Sequence, residues 1–118
     1  MCMKFFSYKG CGTCKKAQKY LLAKKVEYSE IAIRENPPSK AEIKSMIKIY
    51  EGDIKRLFNT SGRDYREMNI KEKLPKLTET QIIELLSKNG NLIKRPFVMG
   101  KNFGLIGFKE DEWKKQFK

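Results

Sequence analysis

Hydrophobic spacing changes period repeatedly along this chain, and each change marks the edge of an expected element. Met3 to Tyr8 reads as a strand closed by a Lys9-Gly10 turn, after which Cys14, Ala17 and Leu21 fall on one stripe of a helix expected from Thr13 to about Lys24. Val26 to Ile33 alternates as a second strand with Val26, Tyr28, Ile31 and Ile33 as core candidates, and Asn36-Pro37-Pro38 breaks it. Ser39 and Glu42 form a capping box ahead of Ile43, Met46, Ile47 and Tyr50, which recur at helical spacing until Glu51-Gly52. A short helix is expected from about Asp53 to Phe58, then a turn at Asn59-Thr60-Ser61-Gly62 and irregular helical pieces around Pro75, marked by Tyr65, Met68 and Leu74. Thr78 capping through Gln81, Leu77 stapled on Ile82, and the stripe Ile82, Leu85 and Leu86 define a further helix that Asn89-Gly90 stops. Pro96-Phe97-Val98-Met99 and Gly104-Leu105-Ile106 flank a Gly100-Lys101-Asn102 turn as a hairpin. A last helix from about Lys109 carries Glu110 and Asp111 in its first turn and Trp113 and Phe117 on one side.

Strand, helix, strand at the start implies a parallel unit with a right-handed crossover. The whole order, βα, β, a helical run, then ββα, describes an α/β protein: a thioredoxin-like four-stranded mixed sheet interrupted by an inserted helical subdomain. One domain is expected, with its core from about residues 1–35 and 90–118 and the insert from about 36–89.

Bulk composition narrows the setting. A chain of 118 residues that is 40% apolar and 11% aromatic can bury one core of ordinary size. No stretch reads as a secretion signal or a membrane span, so a cytoplasmic protein with no membrane partner is expected. In that reducing compartment two close cysteines are more often catalytic, redox-sensing or metal-binding than structural. The formal charge of +12 comes from 26 Lys and Arg against 14 Asp and Glu. It is spread through every segment and carried mostly by Lys, which reads as a solvated basic surface rather than a base-reading one; no direct sequence-specific DNA binding is expected, and the protein is expected as a monomer.

The chemistry concentrates in Cys11-Gly12-Thr13-Cys14, which falls where the first strand hands over to the first helix. An unperturbed thiol of pKa about 8.5 is only roughly 3% thiolate at pH 7, whereas a pKa near 6 would make it roughly 90%. That change requires about 3.4 kcal/mol of differential stabilisation. The chain has no histidine, so no Cys/His pairing is available. Free backbone amides at Thr13 and Cys14, at the positive end of the helix, are the expected source, with Gly12 and Thr13 also offering amides to a bound anion. Cys14, one turn on, is placed to resolve a mixed disulfide on Cys11; the alternative is that it is a small buried hydrophobe and Cys11 a surface thiol. A zinc site wants four ligands, so one Cys pair, no His and the remote Cys2 argue against a metal, and Cys2 reads as an incidental thiol at the edge of the first strand.

Two further groups are candidates. Arg95-Pro96 enters the hairpin strand, where in a thioredoxin-like arrangement a cis proline faces the active cysteine and its preceding arginine is aimed at the thiolate; a strand-edge proline with a solvated arginine is the other reading. Asn59-Thr60-Ser61-Gly62 reads as a turn whose amides and hydroxyls, Asn59 and Ser61 above all, are also fit to line an anion pocket.

With these residues assembled, the chain resembles the arsenate reductase-like ArsC family on its Spx and YusI branch. The resemblance runs through Tyr8 with Cys11-Gly12-Thr13-Cys14-Lys15-Lys16-Ala17, Asn36-Pro37-Pro38-Ser39, Leu57-Phe58-Asn59-Thr60-Ser61-Gly62 with Tyr65-Arg66-Glu67, Leu92-Ile93-Lys94-Arg95-Pro96, and Gly107-Phe108 with Trp113. It implies a thioredoxin fold with an all-helical insert, a nucleophile at Cys11, and a disulfide or oxyanion substrate held at Arg95. No bound cofactor is implied; glutathione with glutaredoxin, or thioredoxin, would supply electrons. Arsenate reductases of this family grip the anion with three arginines, of which only Arg95 carries over, since Asn59 stands after the short helix and Leu105-Ile106-Gly107-Phe108 contains none; Arg63 and Arg66 are the candidate substitutes. The second cysteine points toward Spx-type regulators, whose resemblance implies the C-terminal domain of the α-subunit of RNA polymerase as a partner.

Overall fold

In a computed structural model that describes residues 3–8 and 10–117, the order of elements follows the hydrophobic pattern. Cys2 and Lys9, expected at the edge of the first strand and in its closing turn, lie outside the described residues. The strands are β1 (Met3–Ser7), β2 (Tyr28–Ala32), β3 (Phe97–Met99) and β4 (Gly104–Ile106), and the helices are α1 (Gly12–Ala23), α2 (Lys40–Ile49), α3 (Arg63–Glu67), α4 (Ile70–Lys73), α5 (Glu79–Lys88) and α6 (Glu110–Gln116). The sheet runs in the order β2-β1-β3-β4, with β1 parallel to β2 and antiparallel to β3, and β3 antiparallel to β4. This is the mixed α/β sheet that the element order predicts.

Alternation along the strands divides the interior into two layers. Met3 and Phe5 of β1, Val98 of β3 and Leu105 of β4 face a layer closed by Cys14, Ala17 and Leu21 of α1 and Trp113 of α6. Phe6, Phe97 and Ile106 face the opposite layer, filled by Ile43, Met46 and Ile47 of α2, Tyr65 of α3, Ile70 of α4 and Ile82, Ile83 and Leu86 of α5. Because side chains point to opposite faces at successive positions, a sheet covered on both sides reads as runs of apolar residues rather than strict alternation. The second strand, at the sheet edge, is only partly covered: by the same parity Val26 and Tyr28 join the α1 layer while Ile31 and Ile33 join the other, so the four core candidates do not share a face.

The caps form as the sequence predicts. Ser39 Oγ accepts from the Glu42 N–H at 3.1 Å while the Glu42 carboxylate accepts from the Ser39 N–H at 3.0 Å, and Thr78 and Gln81 make the same reciprocal pair. Around Pro75 the chain forms one tightly wound 3-10 turn, from Leu74 to Lys76, as the irregular pattern implies. Tyr50, at the end of α2, ties the helical run back to the sheet: its hydroxyl accepts from the Ile106 N–H at 2.9 Å and donates to Glu112 of α6 at 3.0 Å. No helix is long and apolar enough to cross a membrane among the described residues.

Candidate active site

The parallel pairing of β1 with β2 brings Tyr8 and Arg34, which follow the two strands, to the same end of the sheet, where ligands of α/β sheets generally sit. The Arg34 guanidinium donates to the Tyr8 hydroxyl at 2.9 Å and lies 5.0 Å over the Tyr8 ring. Arg95 approaches the same ring, its guanidinium carbon 4.7 Å from the centroid. One aromatic ring thus sets the spacing of two cations.

Cys11 caps α1 in extended geometry (φ −77°, ψ 114°). Its N–H donates to the Tyr8 carbonyl at 3.0 Å and its carbonyl accepts from Lys15 at 3.2 Å, so the thiol stands where β1 hands over to the helix. Its sulfur is half-buried, whereas Cys14 is 2% exposed, seated between Phe5 and Trp113 in the α1 layer. The two thiols are pushed in opposite directions. Burial alone would hold Cys11 protonated, but the Cys14 thiol and backbone N–H, together with the Arg95 guanidinium and its charge, favour the ionised form and bring Cys11 below the ordinary thiol value. Burial, reinforced by the neighbouring Cys11, pushes Cys14 up to about 12 against the pull of Tyr8 and Arg95. The amide that acts on the sulfur is that of Cys14; Gly12 and Thr13 are exposed in the first turn, and the Thr13 amide is not among the groups shifting Cys11.

Arg95 is positioned by a single antiparallel bridge that precedes it. Phe58 and Ile93 form an antiparallel bridge, with Asn59 N–H donating to Leu92 at 2.7 Å and Lys94 N–H to Leu57 at 2.8 Å. Immediately afterwards the Arg95-Pro96 peptide is cis, as the thioredoxin-like reading expects, and the buried Pro96 leads into β3. Arg95 Nε is buried and meets no hydrogen-bond partner among the described residues.

Beside Arg95 a cavity of about 250 Å³ is walled by Tyr8, Arg34, Asn59, Asp64, Asn91 and Arg95. Of the turn predicted to line an anion pocket it therefore takes Asn59 and Gly62, while Ser61 is exposed and does not line it. Arg63 reaches the wall, but its Nε is held by Glu67 at 3.0 Å on the surface; Arg66 is exposed away from it. Arg34, Asp64 and Asn91 escaped the sequence reading. Arg34 was within reach of it, since a parallel unit places the residues after both strands at one end. Asn91 was not: it arrives because Gly90 abuts the Ile33 carbonyl so closely that a Cβ there would collide with it.

Comparison with known proteins agrees with this architecture. The model of the ArsC family matches residues 6–116. The chain belongs to the ArsC family. It is 44% identical over 117 residues to the uncharacterised protein YusI of Bacillus subtilis, covering 99% of each chain, and 29% identical over 102 residues to the global transcriptional regulator Spx of Streptococcus pyogenes, covering 86% of this chain and 75% of that one. Among solved structures, an ArsC-family-related protein from Bacteroides fragilis superposes with a TM-score of 0.90 at 42% identity, over 98% of this chain and 97% of the other.

Proposed function

We propose that this ArsC-family chain is a thiol–disulfide oxidoreductase in which Cys11 attacks and Cys14 resolves. The observation that carries the reading is the opposite displacement of two thiols one helical turn apart: the accessible sulfur is eased toward thiolate while the buried one is held as a thiol. The Cys11 thiolate attacks one sulfur of a substrate disulfide, forming a Cys11–substrate disulfide as the second substrate sulfur leaves as a thiolate and takes a proton. Cys14 then gives up its proton and attacks Cys11, closing the Cys11–Cys14 disulfide and releasing the first half of the substrate as a thiol. The substrate gains two electrons and the protein loses them; a dithiol or a low-molecular-weight thiol resets the pair. Arg95 stabilises charge at the Cys11 sulfur throughout.

Ultraviolet thiolate absorbance against pH tests the first step. A depressed Cys11 predicts a thiolate wave centred below the ordinary thiol value, with alkylation by a neutral reagent rising with pH and levelling off across the same window. Cys14 should stay unreactive until the pH approaches about 12. Arg95→Met should move the first wave upward, and a Cys11 wave at or above the ordinary thiol value in the unmodified protein would defeat the proposal. Cys14→Ser should leave Cys11 locked to its target, so that mass analysis of the adduct identifies it.

A second reading, as a redox-switched regulator, is favoured by the likeness to Spx over 86% of the chain. It predicts that capture of the C-terminal domain of the α-subunit of RNA polymerase differs between the reduced and the oxidised protein. Absence of a complex in both states would dispose of it.

A further inference from the structure

The cavity beside Arg95 has a charge pattern that suits a zwitterion better than a simple anion. Arg34 and Arg95 supply two guanidiniums that meet no carboxylate among the described residues, while the third arginine on the wall, Arg63, is held by Glu67. Asp64 lines the same cavity, and its carboxylate likewise forms no ion pair among the described residues. Asn59 and Asn91 add primary amides, each able to donate and to accept. A multiply charged tetrahedral oxyanion placed here would gain from both arginines and be repelled by Asp64. An α-amino-acid head group offers a partner to both signs of charge: its carboxylate lies between the guanidiniums of Arg34 and Arg95, and its ammonium is matched by the Asp64 carboxylate.

The cavity is joined to the sulfur by two shared residues. Arg95 both lines it and acts on Cys11, and Tyr8 both lines it and accepts the Cys11 N–H. We propose that the pocket of Arg34, Asp64, Asn59, Asn91 and Arg95 binds the amino-acid head group of a low-molecular-weight disulfide, so that the thiol–disulfide exchange assigned above acts on disulfides of amino-acid thiols rather than on arsenate. This rests on the exchange reading and adds to it the identity of the group recognised. In the exchange, the Cys11 thiolate attacks the sulfur borne by the seated amino acid, and the distal amino-acid thiolate leaves and is protonated. Cys14 then deprotonates and closes on Cys11, freeing the seated thiol. One disulfide becomes two thiols for each protein dithiol oxidised.

Single-turnover rates of the reduced protein at neutral pH test the proposal with four probes: L-cystine, its N,N′-diacetyl form, its dimethyl ester, and the uncharged bis(2-hydroxyethyl) disulfide. Cystine should react at least about tenfold faster than either blocked form, the loss expected when one charge-assisted contact is removed. Asp64→Asn should erase the advantage over the diacetyl form, and Arg34→Gln the advantage over the ester. Equal rates for cystine and both blocked forms would overturn the zwitterion pocket. So would a diacetyl form as fast as cystine, which would leave an anion site alone. The uncharged disulfide separates this outcome from failure of the exchange reading, because a protein whose Cys11 reacts with it and closes onto Cys14 is an exchanger whatever its pocket recognises.

Discussion

The two halves of the candidate site are built in different ways. The sulfur half comes from one uninterrupted stretch, Cys11 to Cys14, laid on the α1 and α6 side of the sheet, where Cys14 is sealed by aromatic packing. The pocket half draws on Tyr8, Arg34, Asn59, Asp64, Asn91 and Arg95, residues scattered through most of the chain and gathered by the helical run on the other side. Local sequence determines the first half, since a helix start and a spacing of three suffice to set one thiol at a cap and the next against the core. The second half exists only once β2, the 57–59 and 92–94 ladder and α3 are in place. Arg95 and Tyr8 serve both halves; away from those two residues reactivity and recognition are separable, and changes on the two sides of the sheet should affect different measurements.

The largest effect belongs to the sulfur side. Trp113 is fully buried, stacks edge-on with Tyr20 and Phe108 at centroid distances of 5.9 and 5.1 Å, and donates its indole N–H to the Gly107 carbonyl at 3.0 Å. Replacing it by Ala should cost about 3–5 kcal/mol, read as a fall in the urea midpoint. The same cavity opens the layer in which Cys14 sits, so the folded variant should lose part of the burial that keeps Cys14 a thiol, and Cys14 should titrate at lower pH. A destabilised variant with an unchanged Cys14 would show that the aromatic layer does not set the second thiol's environment.

How much of this was visible in the residues follows the same division. The strands, the two capping boxes, the cap position of Cys11 and the cis Arg95-Pro96 peptide rest on contacts between near neighbours or on a strong positional preference, and the pattern expresses them. The opposite faces of Val26 with Tyr28 and of Ile31 with Ile33 were within reach of the sequence, since even and odd positions of one strand point to opposite sides, but hydrophobicity alone groups all four as core. The pocket was the least legible. Asn59 was found because its turn is rich in polar groups, but Ser61 from that same turn stays outside the cavity, and no spacing rule joins Arg34 to Asp64 and Asn91. The anionic shift of Cys11 was expected from two helix amides, yet it arises from the Cys14 amide together with the Cys14 thiol and Arg95, two side chains whose approach depends on tertiary packing.

An intermediate effect belongs to the pocket side. Gly90 packs against the Ile33 and Arg34 backbone with no room for a Cβ, so Gly90→Ala must push the 90–92 turn away from β2. Overpacking of this kind costs about 1–3 kcal/mol, measured as a loss of unfolding free energy. Its distinctive mark is on recognition: Asn91 and Arg34 move apart, and discrimination among charged disulfides should narrow while the Cys11 thiolate titration shifts far less. Equal damage to both readouts would mean that the halves are mechanically coupled.

The smallest effect tests the independence of the sulfur half most directly. Ser39→Ala removes the side-chain acceptor for the Glu42 N–H at the start of α2 and should cost about 1 kcal/mol. Glu42 is held below the ordinary carboxylate value: burial opposes its ionisation, but the Ser39 backbone N–H, Lys4 and the Ser39 hydroxyl outweigh it. A carboxylate depressed in the folded state adds stability above its unfolded pKa and loses it as pH falls through the folded one. Ser39→Ala keeps the backbone donor and loses only the hydroxyl, the weakest of these influences on Glu42, so most of the penalty should persist at all pH and only a small part should fade in acid as Glu42 takes up its proton. Because α2 packs on the face opposite Cys14, the thiolate titration of Cys11 should be unchanged; a shift there would show that the helical run reaches through the sheet to the sulfur.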